Sequence, residues 1–194
     1  MYPRLALMCL ALFSLLLSTA WADPAPVAIE KVGSCPSGYS TSGSYCNPSS
    51  GARYAVPKVG SCPSGYSTSG GYCLASSGAR HAVEKVGSCP SGYSTSGAYC
   101  LQSSSSSPAE APSMSPAALP KVGSCPSGYS TSGSYCSPGS SARYAVEKVG
   151  SCPSGYSTSG SYCLASHGAR HAIPRGGSCP SGYSTSGGYC LSNR

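Results

Sequence analysis

The string KVGSCPSGYSTSGSYC begins at Lys31 and returns with small changes at Lys58, Lys85, Lys121 and Lys148, then as RGGSCPSGYSTSGGYC at Arg175. A chain written this way folds as one small unit used six times, because whatever local structure one copy adopts, its neighbours adopt as well. The period is 27 residues and is broken once, at Leu101 to Pro120, where SSSSSPAEAPSMSPAALP has the composition of a flexible linker. The two triplets match at an offset of 90: Arg53-Tyr54 answers Arg143-Tyr144, Leu74 answers Leu164, and Arg80-His81 answers Arg170-His171. A duplicated triplet explains this match. The residue before the second Tyr of each copy varies among Ser44, Gly71, Ala98, Ser134, Ser161 and Gly188, so that position has only to be small.

Ahead of the repeats, residues 1–22 read as a signal peptide of bacterial type: Arg4, an apolar run from Leu5 to Leu17, and Ala20-Trp21-Ala22 as a small-x-small cleavage site. The expected organisation is then a tail over 23–30, a first triplet over 31–100, a linker over 101–120 and a second triplet over 121–194. Cleavage removes Cys9, Phe13 and Trp21. It leaves twelve cysteines, an even number in a chain bound for a secreted or periplasmic, oxidising destination. What remains is too poor in Leu, Ile and aromatic rings other than Tyr for a conventional apolar core, so covalent staples must supply the order. No later stretch reaches the roughly 20 apolar residues of a membrane span. Without Arg4 the chain holds eleven Lys and Arg against five Asp and Glu, a net charge of +6 that mildly favours anionic partners. The basic residues form no dense patch of the kind dedicated nucleic-acid binders carry.

Turn chemistry predicts the shape of one module. Thr41-Ser42-Gly43 suits a three-residue hairpin loop, which places Tyr39 opposite Tyr45 and Gly38 opposite Cys46. Cys35-Pro36-Ser37-Gly38 suits a β-turn with Pro at its second position, returning Cys35 to the neighbourhood of Cys46. The expected disulfides therefore lie within copies: Cys35 with Cys46, Cys62 with Cys73, Cys89 with Cys100, Cys125 with Cys136, Cys152 with Cys163, and Cys179 with Cys190. Closing each loop contributes about 3 kcal/mol in the chain-entropy description. The fold class is small, disulfide-rich and all-β, six tandem hairpins with a signal helix ahead of them. Spacers such as SGARYAVP and SGARHAVE predict a short third strand or an extended connector. Stacking within a triplet stays open, but the terminal copies lack capping sequences, which favours semi-independent modules over a solenoid.

Candidate binding residues are the paired tyrosines Tyr39 and Tyr45, Tyr66 and Tyr72, Tyr93 and Tyr99, Tyr129 and Tyr135, Tyr156 and Tyr162, Tyr183 and Tyr189, with Arg53, Arg80, Arg143 and Arg170 in the spacers. Tyr offers large rigid area and a hydroxyl, and six copies add avidity. The competing role is structural, with Tyr covering the disulfide as a minimal core; one ring of each pair buried and one exposed satisfies both. Metal ligation is disfavoured, because no C-x-x-C pair occurs and His81, His167 and His171 are scattered. No cofactor is expected. Catalysis is not expected either, since Asp23, Glu30, Glu84, Glu110 and Glu147 all lie outside the modules and no nucleophile has a partner motif.

The string CPSGYSTSGSYC resembles a motif found singly or in tandem in small secreted bacterial proteins. That resemblance covers the six modules, implies an exported product, and attaches no activity or functional residue. The function expected is non-catalytic: a structural or adhesive repeat protein presenting Tyr, Ser and Arg to an envelope polymer, glycan or protein partner. The alternatives are a cysteine-based metal or redox buffer and a secreted effector or toxin-like scaffold.

Overall fold

A computed structural model describes residues 26–103, 114 and 116–193. The expected signal segment, its helix, and most of the linker lie outside the described residues. Within them the chain is all-β, as its composition requires, with no helix. The first module contains β1 (Ile29–Glu30), β2 (Tyr39–Ser42) and β3 (Tyr45–Pro48) in an antiparallel sheet of order β1-β3-β2. The spacer is thus a true third strand, laid against the second strand of the hairpin. The other leading strands are Ala55–Pro57, Ala82–Glu84, Leu119–Pro120, Ala145–Glu147 and Ala172–Pro174, each heading an identical three-stranded sheet.

Hairpin register departs from expectation. The loop is the two-residue turn Gly43-Ser44, so Ser42 pairs with Tyr45, Thr41 with Cys46, and Tyr39 with Pro48. Gly43 sits at φ 59°, a left-handed conformation that matches the twist of a tight hairpin and outcompetes the longer loop. Tyr39 therefore does not face Tyr45. The preceding turn is also displaced by one residue: the Tyr39 amide donates to the Pro36 carbonyl at 3.0 Å, with Ser37 and Gly38 central and Gly38 at φ 84°. Pro36 begins this turn instead of occupying its second position. The cysteines still meet. All six expected disulfides are present, each with a Cα–Cα separation of 5.4 Å.

The expectation of semi-independent modules is overturned by the second tyrosine of each copy. The Tyr72 hydroxyl donates to the Glu30 carbonyl of the preceding module at 2.8 Å and accepts from the Val32 amide at 2.6 Å. Tyr99 makes the same pair with Pro57 and Val59, Tyr162 with Pro120 and Val122, and Tyr189 with Glu147 and Val149. The two triplets are joined likewise, by Tyr135 with Glu84 and Val86. Finally Tyr45, in the first module, donates to Pro174 at 2.9 Å and accepts from Gly176 at 2.6 Å, both in the sixth. The six sheets close into a ring.

A second set of contacts repeats that closure: the Ser37 amide donates to Ser69 Oγ, Ser91 to Ser132, and Ser181 back to Ser42, at 2.8–3.0 Å. These clamps supply the core that composition denied each module. Tyr72, Tyr99, Tyr135, Tyr162 and Tyr189 are at most 1 % exposed, and each lies over the disulfide of the module before it; Tyr72 Oη is 3.6 Å from Cys46 Sγ. At the closing seam Ala28, Tyr45, Ile173 and Cys190 form one apolar cluster. Solenoids need end caps to shield their terminal repeats, but a ring has no terminal repeat, which accounts for the missing capping sequences. Radial closure leaves each small sheet only short edges.

Candidate functional site

Ring closure gives the molecule two chemically different faces. Two pairs of leading strands approach one another, Ala55–Pro57 with Ala82–Glu84 and Ala145–Glu147 with Ala172–Pro174, and beside them Tyr54 packs on His81 with ring centroids 5.1 Å apart and Tyr144 on His171 at 5.2 Å. The same tyrosine clamp joins every pair of neighbours, so equivalent residues of the six modules lie at one level of the ring. Residues preceding the leading strands, Arg53, Arg80, Arg143 and Arg170, therefore gather on one face, while residues at their far ends, including Glu30, Glu84 and Glu147, gather on the other. Among the described residues, every carboxylate side chain lies at that far end. The four arginines are exposed and have no acidic neighbour on their own face.

The first tyrosine of each module belongs to this arginine face. Tyr39, Tyr66, Tyr93, Tyr129, Tyr156 and Tyr183 are half-buried, and four of them anchor the arginines by donating to the backbone carbonyls of Arg53, Arg80, Arg143 and Arg170 at 2.8–3.0 Å. The second tyrosine, Tyr45 and its five counterparts, is removed from the candidate surface, because its ring fills the seam between modules. One tyrosine of each pair is thus core and the other borders a face. Burial raises the hydroxyl pKa of Tyr39, Tyr54, Tyr66, Tyr93, Tyr129, Tyr144, Tyr156 and Tyr183, and lowers those of His81 and His171 to about 4. These rings are neutral at ordinary pH. They offer flat apolar area and hydrogen bonds, not proton transfer.

Around His171 the protons can be placed. Tyr144 gives its single hydroxyl proton to the Ala172 carbonyl at 3.0 Å, so His171 must donate from Nε2 to Tyr144 Oη at 3.1 Å. His171 Nδ1 is then an acceptor, and the Tyr183 hydroxyl donates to it at 3.4 Å. Tyr183 differs here from the four tyrosines that reach an arginine carbonyl.

The opposite face holds features that sequence reading passed over. Val32, Val59, Val86, Val122 and Val149 are 39–53 % exposed, interleaved with Lys31, Lys58, Lys85, Lys121, Lys148 and Arg175. The Lys-Val pair was visible in every copy but the last; what was missing was the ring that sets the copies side by side. The three carboxylates offset half of that rim's six positive charges.

Triplet boundaries also differ chemically from the rest. Where other modules carry an Arg-aromatic pair ahead of the leading strand, the first and fourth carry Pro26-Val27 and Pro116-Ala117; where others carry Leu after the second Cys, these carry Asn47 and Ser137. Smaller side chains at the closing seam leave a cavity of about 370 Å³ whose walls include Val27, Asn47, Arg170, His171, Tyr183 and Met114. At the equivalent seam of the other triplet, Ser137 Oγ is buried without a hydrogen-bond partner.

No group of three His, Cys, Asp or Glu residues placed to hold a metal ion occurs among the described residues, and the twelve module cysteines are bonded in pairs. Disulfides of this density are typical of extracellular proteins. No helix among the described residues is long and apolar enough to cross a membrane. No protein family, no curated protein and no solved structure matches the chain.

Proposed function

We propose that this is an exported, non-catalytic binding protein whose arginine face docks on an anionic extracellular polymer, with acidic polysaccharide as the target class. The observation that carries this reading is the segregation of charge: four exposed arginines on one face of a rigid ring, with all described carboxylates on the other. Arg binds carboxylate and sulfate through a planar fork of N–H donors, and neighbouring Tyr and His rings offer flat surfaces for the apolar faces of sugars. Repetition supplies avidity, since each module brings the same short loop to one plane. The signal segment, the oxidised cysteines and the absence of paired catalytic groups in the sequence support an exported, non-enzymatic role.

Two four-fold variants test the assignment to a face. Replacing Arg53, Arg80, Arg143 and Arg170 by Gln is expected to weaken binding to immobilised polygalacturonate at least ten-fold. The same change at Lys31, Lys58, Lys85 and Lys121, which removes equal charge from the other face, is expected to weaken it less than three-fold. Equal losses reduce the interaction to net charge and overturn the reading.

A further inference from the structure

We infer that the cavity at the closing seam is a discrete subsite for a single acidic sugar residue at the end or within a glycan; this rests on the polymer-binding reading and sharpens it. At about 370 Å³ the cavity lies within the roughly 300–1,000 Å³ of small-ligand sites. Its walls are of two kinds. Pro26, Val27, Pro48 and Met114 offer apolar area for the C–H face of a pyranose; Asn47 and Tyr183, which already donate to the Ser181 carbonyl and to His171 Nδ1, keep oxygens that accept from sugar hydroxyls, and Arg170 brings a guanidinium to the same space. Arg170 is the fixed positive charge, and its exposed side chain has no acidic neighbour on that face. His171 is neutral and held by Tyr144 and Tyr183, so it contributes a rigid wall and no charge. A carboxylated sugar matches this combination better than a neutral sugar, which leaves Arg170 unused, or a bare anion, which leaves the apolar wall unused.

The sequence shows why the cavity sits here. Modules two and five fill the corresponding place with Arg53-Tyr54 and Arg143-Tyr144, three and six with Arg80-His81 and Arg170-His171; Tyr54 spans to the next module's Ala82 carbonyl at 3.3 Å and Tyr144 to Ala172 at 3.0 Å. At the closing seam Val27 stands where His81 and His171 receive the rings of Tyr54 and Tyr144, and it gives His171 no ring to pack on. The triplet duplication repeats the small residues at Pro116-Ala117 and Ser137, and there the Ser137 hydroxyl is buried without a hydrogen-bond partner.

The subsite can be closed with residues the fold already uses at these positions. In the full-length disulfide-bonded protein, P26R/V27Y rewrites the first module in the pattern of the second, and P116R/A117Y makes the same change in the fourth, away from the cavity. Digalacturonate titrated calorimetrically is expected to show one site per chain in the wild type and in P116R/A117Y, and none in P26R/V27Y. P26R/V27Y adds a positive charge, so attraction by charge alone predicts tighter binding and gives the opposite sign. Undiminished or strengthened digalacturonate binding in P26R/V27Y overturns the subsite, as does equal affinity for neutral digalactose in the wild type. Polygalacturonate binding separates the two claims: a P26R/V27Y variant that keeps it while losing digalacturonate affirms both the face and the subsite. One that keeps both ligands sinks the subsite and leaves the face standing.

Discussion

Ring closure has a direct test in one oxygen atom. Tyr45 belongs to the first module, and its hydroxyl bonds the Pro174 carbonyl and the Gly176 amide of the sixth. If the modules formed an open row, Tyr45 would project from a free end and Tyr45→Phe would cost almost nothing. In the ring, Phe leaves a carbonyl and an amide unsatisfied in a seam where Tyr45 is 3 % exposed. A buried polar group without its partner costs about 1–3 kcal/mol, and because the two backbone groups are only partly buried we expect a total of about 2 kcal/mol. For a protein of this size that is a fall in Tm of about 4–8 °C. Calorimetric melting under non-reducing conditions should place Tyr45→Phe beside Tyr99→Phe, which loses the equivalent pair of bonds to Pro57 and Val59 in an internal seam. Tyr39→Phe, which gives up one bond at a half-buried position, should cost less than either. A Tyr45→Phe melt indistinguishable from wild type, alongside a destabilised Tyr99→Phe, refutes closure.

Three further outcomes follow from the same geometry. Cutting the chain at a protease site placed between residues 104 and 113 should leave two halves that co-elute on a sizing column, held by the Tyr45 and Tyr135 clamps; elution as separate triplets contradicts those seams. Full reduction should raise the mass by about two hydrogens per bridge and abolish the cooperative melt, since each bridge contributes about 3 kcal/mol to a module with almost no core of its own; a reduced protein that still melts cooperatively contradicts that dependence. His81 and His171 have folded pKa values of about 4, below the ordinary unfolded value near 6.5, so the unfolded chain binds more protons between these limits. Their stabilising contribution is complete above pH 6.5 and is lost as pH falls toward 4, by up to about 3 kcal/mol each. The double variant H81Y/H171Y, which uses the residue found in modules two and five, should flatten that acid limb in urea melts at pH 4 to 7, and an unchanged limb refutes the assignment.

Much of the module was legible because its determinants are local. Cys-Pro and Gly-Tyr turns, the alternation in the spacers and the ten residues between cysteines act over a dozen positions; from them the hairpin and all six bridges follow, and the third strand is one of the two readings the spacers allow. Register failed for an equally local reason: Ser-Gly-Ser admits both a two- and a three-residue turn, and nothing in a single copy decides between them. The tyrosine pair divided into one core and one bordering residue, as it could, but which ring went inside depended on the neighbour. Closure was not legible. It depends on the angle each seam adds, which must sum to a full turn over six seams, and no residue encodes that sum alone. The trace it left was indirect, in RGG replacing KVG at Arg175. Gly176 stands where five modules have Val, and a Cβ there would meet Glu30 Oε1 at 3.3 Å and Tyr45 Oη at 3.7 Å across the closing seam.

The meeting of the first and sixth modules has a mechanical corollary. Both ends of the described chain emerge at the same seam, so tension drawn through the termini loads the Tyr45 and Ser42 contacts before any other. Those bonds are non-covalent, whereas the sulfur bridges lie in series within modules and each withholds the ten residues between its cysteines from extension. Pulled from its ends, the protein should open as a clasp does and become a chain of six knots, lengthening under load while every loop stays tied.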